Sequence, residues 1–478
     1  MVEQSEVKNN RWLILPGAFV IQLVLGSLYA WSVFTYSFQQ EPYNFSTLQI
    51  QAIFSGSLAS FTLSMIFKST RMNKIGFKPF LIAGGLALGG GYILGSQPGS
   101  SFFVKFMCLG VLSGLGIGFA YGVPNAICIK WFPDKKSLIS VTMAAAFGFG
   151  TILLIQIGGS WFELVENLGV DKVCFYYGIT FGIIYTMGSI VLMYPPKGYL
   201  PIGYDPEIPT DQANTLGKLR NYTWQKMLNK PVFWFIWLIF VISETAGFIM
   251  IGSVQLLGIE ILNNKDNSIQ FAKYAAYNAM ASFALFNIPG VIAWDIIGKK
   301  LGISFAIFSM TFIQGVLFLT FFAMVNTPIM FVIYASAIGF VFGGNFTLFH
   351  TATASQFGTK NLNVNYLFVL TALGIAGIVG PVYNGYVRDN TGSFFNTFLS
   401  VGVLCIIGSF LAFVIKKPTE RRTGGRRKGE KETDQSEDQN MDTGKRKILG
   451  SRKSSDRRIE KGVVWSSDVL GHLPDIPD

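Results

Sequence analysis

Long apolar runs separated by short polar ones set the pattern of this chain. A bilayer crossing needs about 20 mostly apolar residues at ~1.5 Å rise each. Runs of that kind read as Trp12–Phe34, Leu48–Phe67, Phe80–Gly95, Phe102–Ile129, Leu138–Trp161 and Val173–Tyr194. The third is short and glycine-rich. After a polar stretch from Pro195 to Lys230 the pattern resumes as Pro231–Leu257, Tyr274–Ile297, Ile303–Val325, Pro328–His350, Val364–Val387 and Phe394–Ile415. The pattern predicts an all-α membrane protein of about twelve transmembrane helices in two six-helix bundles. Residues 1–11 form a short N-terminus, 12–194 the first bundle, 195–230 a linker, 231–415 the second bundle and 416–478 a polar tail. The first run is too long for a signal-peptide core and lacks a small-residue cleavage pattern, so it reads as a retained span.

Composition removes the soluble alternatives. Half of the residues are hydrophobic and only 14% are charged, too few to coat several soluble globules. The 44 Phe, 52 Gly and 9 Trp fit lipid as the solvent, because membrane helices place small residues where backbones meet and aromatics at the lipid boundary. The net charge of +11 raises nucleic acid as a partner, but the basic residues sit in short loops and one tail and make no folded basic face. Topology accounts for them better. With a cytoplasmic N-terminus, seventeen basic residues, Lys68 among them, fall in inner loops and five in outer loops, as the positive-inside rule requires. Both termini are then cytoplasmic, with the plasma membrane as the default location.

Cys108, Cys128, Cys174 and Cys405 lie in or beside apolar runs without metal-type spacing, so no zinc site, disulfide framework or cofactor is expected. No HExxH, GxSxG or paired-Asp motif is present and there are only two histidines, which argues against an intramembrane enzyme. From Lys416 the chain mixes both charge signs with Ser and Gly, the composition of a disordered cytoplasmic tail. Its basic clusters are suited to anionic lipid headgroups, and phosphorylation of Ser454–Ser455 would weaken that contact.

The halves echo each other. The loop after span four, IKWFPDKKSLISVTMAAAFGFG, and the loop after span ten, ASQFGTKNLNVNYLFVLTALGIAG, share an aromatic-turn-Lys order followed by a Gly/Ala-rich helix, as expected of carriers that rock two bundles about a midplane site. Three segments, LGSLYAWSVF, GLGIGFAYGVPNAICIKWFPDKK and GFVFGGNFTLFHTATASQFGTKNLNVNYLFVLTALG, resemble the oxalate/formate antiporter branch of the major facilitator superfamily, which is related to the monocarboxylate transporters. The resemblance covers nearly all of Trp12 to Ile415. It implies a twelve-helix alternating-access carrier for small carboxylates, working by exchange or with a proton. Gly114, Gly116, Gly118, Gly343 and Gly344 suit close, sliding helix contacts. For gating, Asp134 is expected to pair with Lys135 or Lys136 across the inner gate, and Asp295 with Lys299 and Lys300 to form a charge relay in WDIIGKKLG, whereas the first-half loop has Asn73 where an acid is expected.

An anion at the bilayer centre needs positive charge or many donors. Oxalate-transporting members of that branch place an Arg on span eight and a Lys on span eleven; the matching positions here are Val291 and Leu373. The resemblance therefore points away from oxalate toward a monoanion. By matching position, Tyr29, Trp31, Tyr121, Asn125 and Asn345 are candidates to line the cavity. Two further ionisable residues stand out: Glu244 in WLIFVISETAGFIMIG, a candidate proton-coupling carboxyl, and His350 at the end of span ten, a candidate for substrate contact. The expected partners are a small organic anion, protons or a counter-anion, and the lipid bilayer. A neutral or zwitterionic cargo, which Val291 and Leu373 would tolerate, and a transporter-derived sensor stay open as alternatives.

Overall fold

A computed structural model describes residues 2–196, 198–201, 221–263 and 268–415, and over that range it is a bundle of long helices. We label them α1 (Arg11–Gln39), α2 (Thr47–Met72), α3 (Lys78–Gly95), α4 (Phe102–Trp131), α5 (Leu138–Ser160), α6 (Val170–Val191), α7 (Pro231–Leu262), α8 (Ile269–Leu301), α9 (Ile303–Met324), α10 (Pro328–Phe357), α11 (Leu362–Thr391) and α12 (Phe395–Val414). Eleven are long and apolar enough to cross a membrane; α3, only 18 residues with six glycines, falls short of that measure. It nevertheless packs between α4 and α6 as a full member of the bundle. The whole tail, 416–478, and much of the linker, including Lys197, Lys218, Arg220, Ser454 and Ser455, lie outside the described residues.

Three of the helices start on side-chain caps. Ser46 opens α2 with a capping box completed by Gln49, Ser268 accepts from the Phe271 N–H at the start of α8, and Thr327 does the same for Met330 on α10. Large apolar side chains point outward: Leu86, Ile190 and Ile329 are each more than 70% exposed, which only lipid can solvate at low cost. Inside, small residues let backbones touch. A Cβ on Gly114 would lie 2.2 Å from the Ser57 carbonyl oxygen, and one on Gly343 would lie 2.3 Å from that of Asn287.

The halves meet along α2–α11, α5–α8 and α1–α7. Each half has an even number of helices, so residues 11, 191, 231 and 414 share one end of the bundle, here the termini end. Hydrogen bonds and ion pairs that join the halves among the described residues gather toward the opposite, far end. Gln51 Nε2 donates to the Gly252 carbonyl at 2.8 Å, Thr35 Oγ1 to Gln255 Oε1 at 2.8 Å, and Gln156 Nε2 to Asn278 Oδ1 at 3.1 Å. Asp389 on α11 accepts from the Thr47 and Leu48 N–H groups at 2.9 and 2.8 Å, capping α2 from the other half. Lys273 on α8 pairs with Glu166 at 2.6 Å, with its ammonium 4.1 Å from the Tyr36 ring centre. The far end is sealed.

Candidate functional site

Two helices break where the halves face each other at mid-depth. In α4 the helix stops at Ala120, Tyr121 adopts φ −51° and ψ 125°, Gly122 takes the left-handed φ of +81°, and a new helix runs Val123–Trp131. A side chain at Gly122 would strain that turn. In α10 the helix Pro328–Phe342 gives way to Gly344–Phe357 at Gly343. The breaks occur in matching sequence, IGFAYG (117–122) and IGFVFG (338–343). Broken helices are tolerated at membrane depth where they line a protein cavity.

These breaks bring several predicted residues together. The Tyr121 ring lies 6.3 Å from Phe346 across the half-to-half boundary and 6.4 Å from Phe147; Tyr29 packs edge-on to Phe147 at 5.0 Å and reaches Phe342 at 6.3 Å. Glu244, fully buried on α7, is within electrostatic reach of Tyr29, Tyr121 and Tyr366. Neither carboxyl oxygen meets hydrogen-bond geometry, although Asn345 stands close enough to exchange one with it. Asn345, also fully buried, is tied to Ser243, whose Oγ lies 2.7 Å from the Asn345 amide and 2.8 Å from Gln314 Oε1. That hydroxyl has one proton for two amides. Gln314 is fixed by its Nε2 donating to the Ser243 carbonyl at 3.0 Å, so its oxygen takes the proton. Asn345 is then satisfied with its nitrogen on Ser243 Oγ and its oxygen toward Glu244, an acceptor that suits a carboxyl holding its proton.

Other predicted residues fall elsewhere. Trp31 stacks on Phe38 at 5.9 Å and lies edge-on to Phe34, with its indole N–H unpartnered among the described residues. Asn125 sits on the restarted helix of α4, its Oδ1 buried and without a hydrogen-bond partner. His350 packs edge-on to Tyr366 at 4.8 Å, one turn beyond Phe346 toward the termini end. Asp134 pairs with Arg11 at 2.5 Å, within one half, and the Arg11 guanidinium lies 4.1 Å from the Phe132 ring centre. Lys135 lies 5.7 Å from the Trp12 ring centre, also in its own half. Asp295 and Lys299 do pair, at 2.5 Å, but as an i,i+4 contact along α8, and Lys300 beside them is exposed.

Sequence reading missed three features. Lys68, counted with the loops, lies inside α2, 4% exposed, with its ammonium donating to the Tyr121 carbonyl. Tyr366 closes the central cluster from α11, its hydroxyl donating to the Phe346 carbonyl at 3.3 Å. At the far end Lys105, near the start of α4, is wholly buried and paired with Asp171 at 2.7 Å; Tyr43 donates to the same carboxylate at 2.5 Å. Burial, then that hydrogen bond, pushes the Tyr43 phenol well above its usual range. A groove of about 650 Å³ opens toward lipid between α8, α9 and α10, lined by apolar residues such as Phe286, Ile313 and Ile333. It contains none of the predicted site residues.

The sequence profile of the Major Facilitator Superfamily matches residues 17–381 and, in an overlapping segment, 279–467. An uncharacterized MFS-type transporter of Escherichia coli, YhjX, is 25% identical over 385 residues, spanning 78% of this chain and 87% of its own length. The oxalate:formate antiporter of Oxalobacter formigenes is 24% identical over 425 residues, 86% of this chain and 92% of its own. The crystal structure of the nucleoside transporter NupG superposes with a TM-score of 0.63 at 13% identity, covering 85% of this chain and all of that one, a likeness of fold alone.

Proposed function

The chain belongs to the Major Facilitator Superfamily, and from that premise we propose that it carries small organic anions, monocarboxylates first, together with a proton bound at Glu244. The observation that carries the reading is the buried Glu244 carboxyl on a membrane helix, without a fixed partner, among Tyr29, Tyr121, Tyr366 and Asn345. An acid held at the bilayer midplane is costly and marks function by default. Tyr29, Tyr121 and Asn345 contact the substrate; His350 stands on the route from the termini end. Similarity to the oxalate:formate antiporter supports an anionic cargo. Apolar Val291 and Leu373 favour one carboxylate over two.

Transport proceeds by alternating access. With the far end sealed, the central site communicates with the termini end, which is the cytoplasmic side by the charge balance of its loops. Protonated Glu244 bonds to Asn345; its deprotonation leaves a charge between three phenols, and that changes which way the halves settle. Glu244→Gln keeps the shape and the hydrogen bond and removes the proton. It is expected to abolish proton-driven accumulation in proteoliposomes while leaving the exchange of labelled for unlabelled substrate. Unchanged accumulation in the variant removes Glu244 from the coupling.

The same apolar positions favour a second reading, a neutral or zwitterionic solute. Competition by neutral analogues of the best acid, at the potency of the acid, would select it.

A further inference from the structure

Both broken helices are capped from the neighbouring helix, and they are capped differently. Spans α2 and α8 end alike, at Gly76 and Gly302, each with positive φ (+82° and +94°) and each with its N–H bonded to a carbonyl four residues back. Eight residues before these landmarks stand Lys68 and Trp294. They do the same local work: Lys68 donates to the Tyr121 carbonyl at the break of α4, and Trp294 Nε1 donates to the Phe340 carbonyl at 3.2 Å, three residues before the break of α10. Both side chains are buried, 4% and 3% exposed. A neutral indole therefore suffices to satisfy a carbonyl freed by the break. Lys68 can hold a charge there only at a cost, because a buried ammonium without a carboxylate is disfavoured unless an anion joins it.

No carboxylate among the described residues pairs with Lys68. Its surroundings suit an anion in other ways. The helix restarting at Val123 leaves the Val123 and Asn125 N–H groups without intrahelical partners beside the break, Pro124 having none, and the Asn125 side-chain amide in that first turn has an NH2 to donate. Resting on the carrier reading above, we propose that Lys68 and the broken turn Tyr121–Asn125 form the carboxylate-binding subsite. Lys68 leaves the Tyr121 carbonyl to pair with the substrate carboxylate, while the apolar part of the substrate lies against the Tyr121, Phe147 and Phe346 rings. The chain thus supplies, from the opposite half, the positive charge that Val291 and Leu373 do not.

The test uses full-length protein in proteoliposomes with Cys108, Cys128, Cys174 and Cys405 changed to Ser. Saturable uptake of labelled formate or lactate by this background is the premise, and its absence refutes the carrier reading itself, independently of Lys68. Given uptake, Lys68→Cys is expected to raise KM roughly tenfold or more, the scale of one charge-assisted hydrogen bond. Mixed-disulfide formation with 2-aminoethyl methanethiosulfonate, which releases methanesulfinate and restores an ammonium, should recover transport, and the neutral methyl methanethiosulfonate should not. Lys68→Gln keeps a neutral donor for the Tyr121 carbonyl, so it should remain monodisperse and thermally stable while showing the same KM defect. A normal KM in Lys68→Gln overturns the proposal, as does equal rescue by both reagents. Collapse of both variants in detergent also overturns it, marking Lys68 as a structural cap.

Discussion

Replacing Glu166 by Gln tests whether the far-end contacts hold one state of the carrier. Lys273 is 5% exposed at its side chain and Glu166 34%. Removing one partner of a fully buried pair costs about 3–5 kcal/mol because the other charge is stranded, whereas exposed pairs contribute about 0.2–1 kcal/mol. A pair between these limits, with Tyr36 still 4.1 Å from the ammonium, should lose about 1–2 kcal/mol, a factor of about 5–30. Because the contact joins the two halves at the sealed end, the loss appears as a shift in the population of open and closed far ends, not as unfolding. Spin labels placed one on each half near this end, read as distance distributions in nanodiscs, would show the closed fraction fall. Adding Lys273→Met should recover much of it, since no stranded cation remains. A closed fraction unchanged in Glu166→Gln would refute the latch.

Other consequences follow from packing and titration. A Cβ at Gly118 would lie 2.3 Å from the Phe61 carbonyl oxygen, so Gly118→Val should cost about 1–3 kcal/mol and lower the melting temperature, while Gly182→Ala, with open space around it, should not. The Tyr43 phenol is raised above its unfolded value, so its contribution is present below pH ~10 and is lost as pH climbs toward its folded value. Thermal stability of the wild type should therefore decline above pH ~10 more steeply than that of Tyr43→Phe, and parallel profiles would contradict the assignment.

The spans were legible because lipid demands apolar length, and that demand is local in sequence. Glu244 was legible for the same reason, as an acid within an apolar run. The partner of Asp134 was not, because Arg11 is 123 residues away and nearby Lys135 and Lys136 offered a simpler pairing. Lys68 was misread for a related reason. It closes an apolar run just before Arg71 and Lys74, so a loop lysine and a buried one look the same to hydropathy. One signal lay in the chain: counting back eight residues from Gly76 and from Gly302 reaches Lys68 and Trp294, and a lysine in register with a tryptophan does not read as a loop residue. Which aromatic residues would gather at the centre was half visible. Tyr29 and Tyr121 came from motif position, but the placement of Trp31 against Phe34 and Phe38 depends on the 3-10 winding of Gly26–Phe34, which no periodicity announced.

The central claim is that a protonatable carboxyl and an anion share one site between the halves. Its most direct test is uptake of labelled formate, lactate and oxalate into liposomes containing the purified chain, with and without an inward proton gradient. Gradient-driven accumulation of a monocarboxylate, and none of oxalate, is expected. Accumulation of oxalate alone, or uptake indifferent to the gradient, would contradict it.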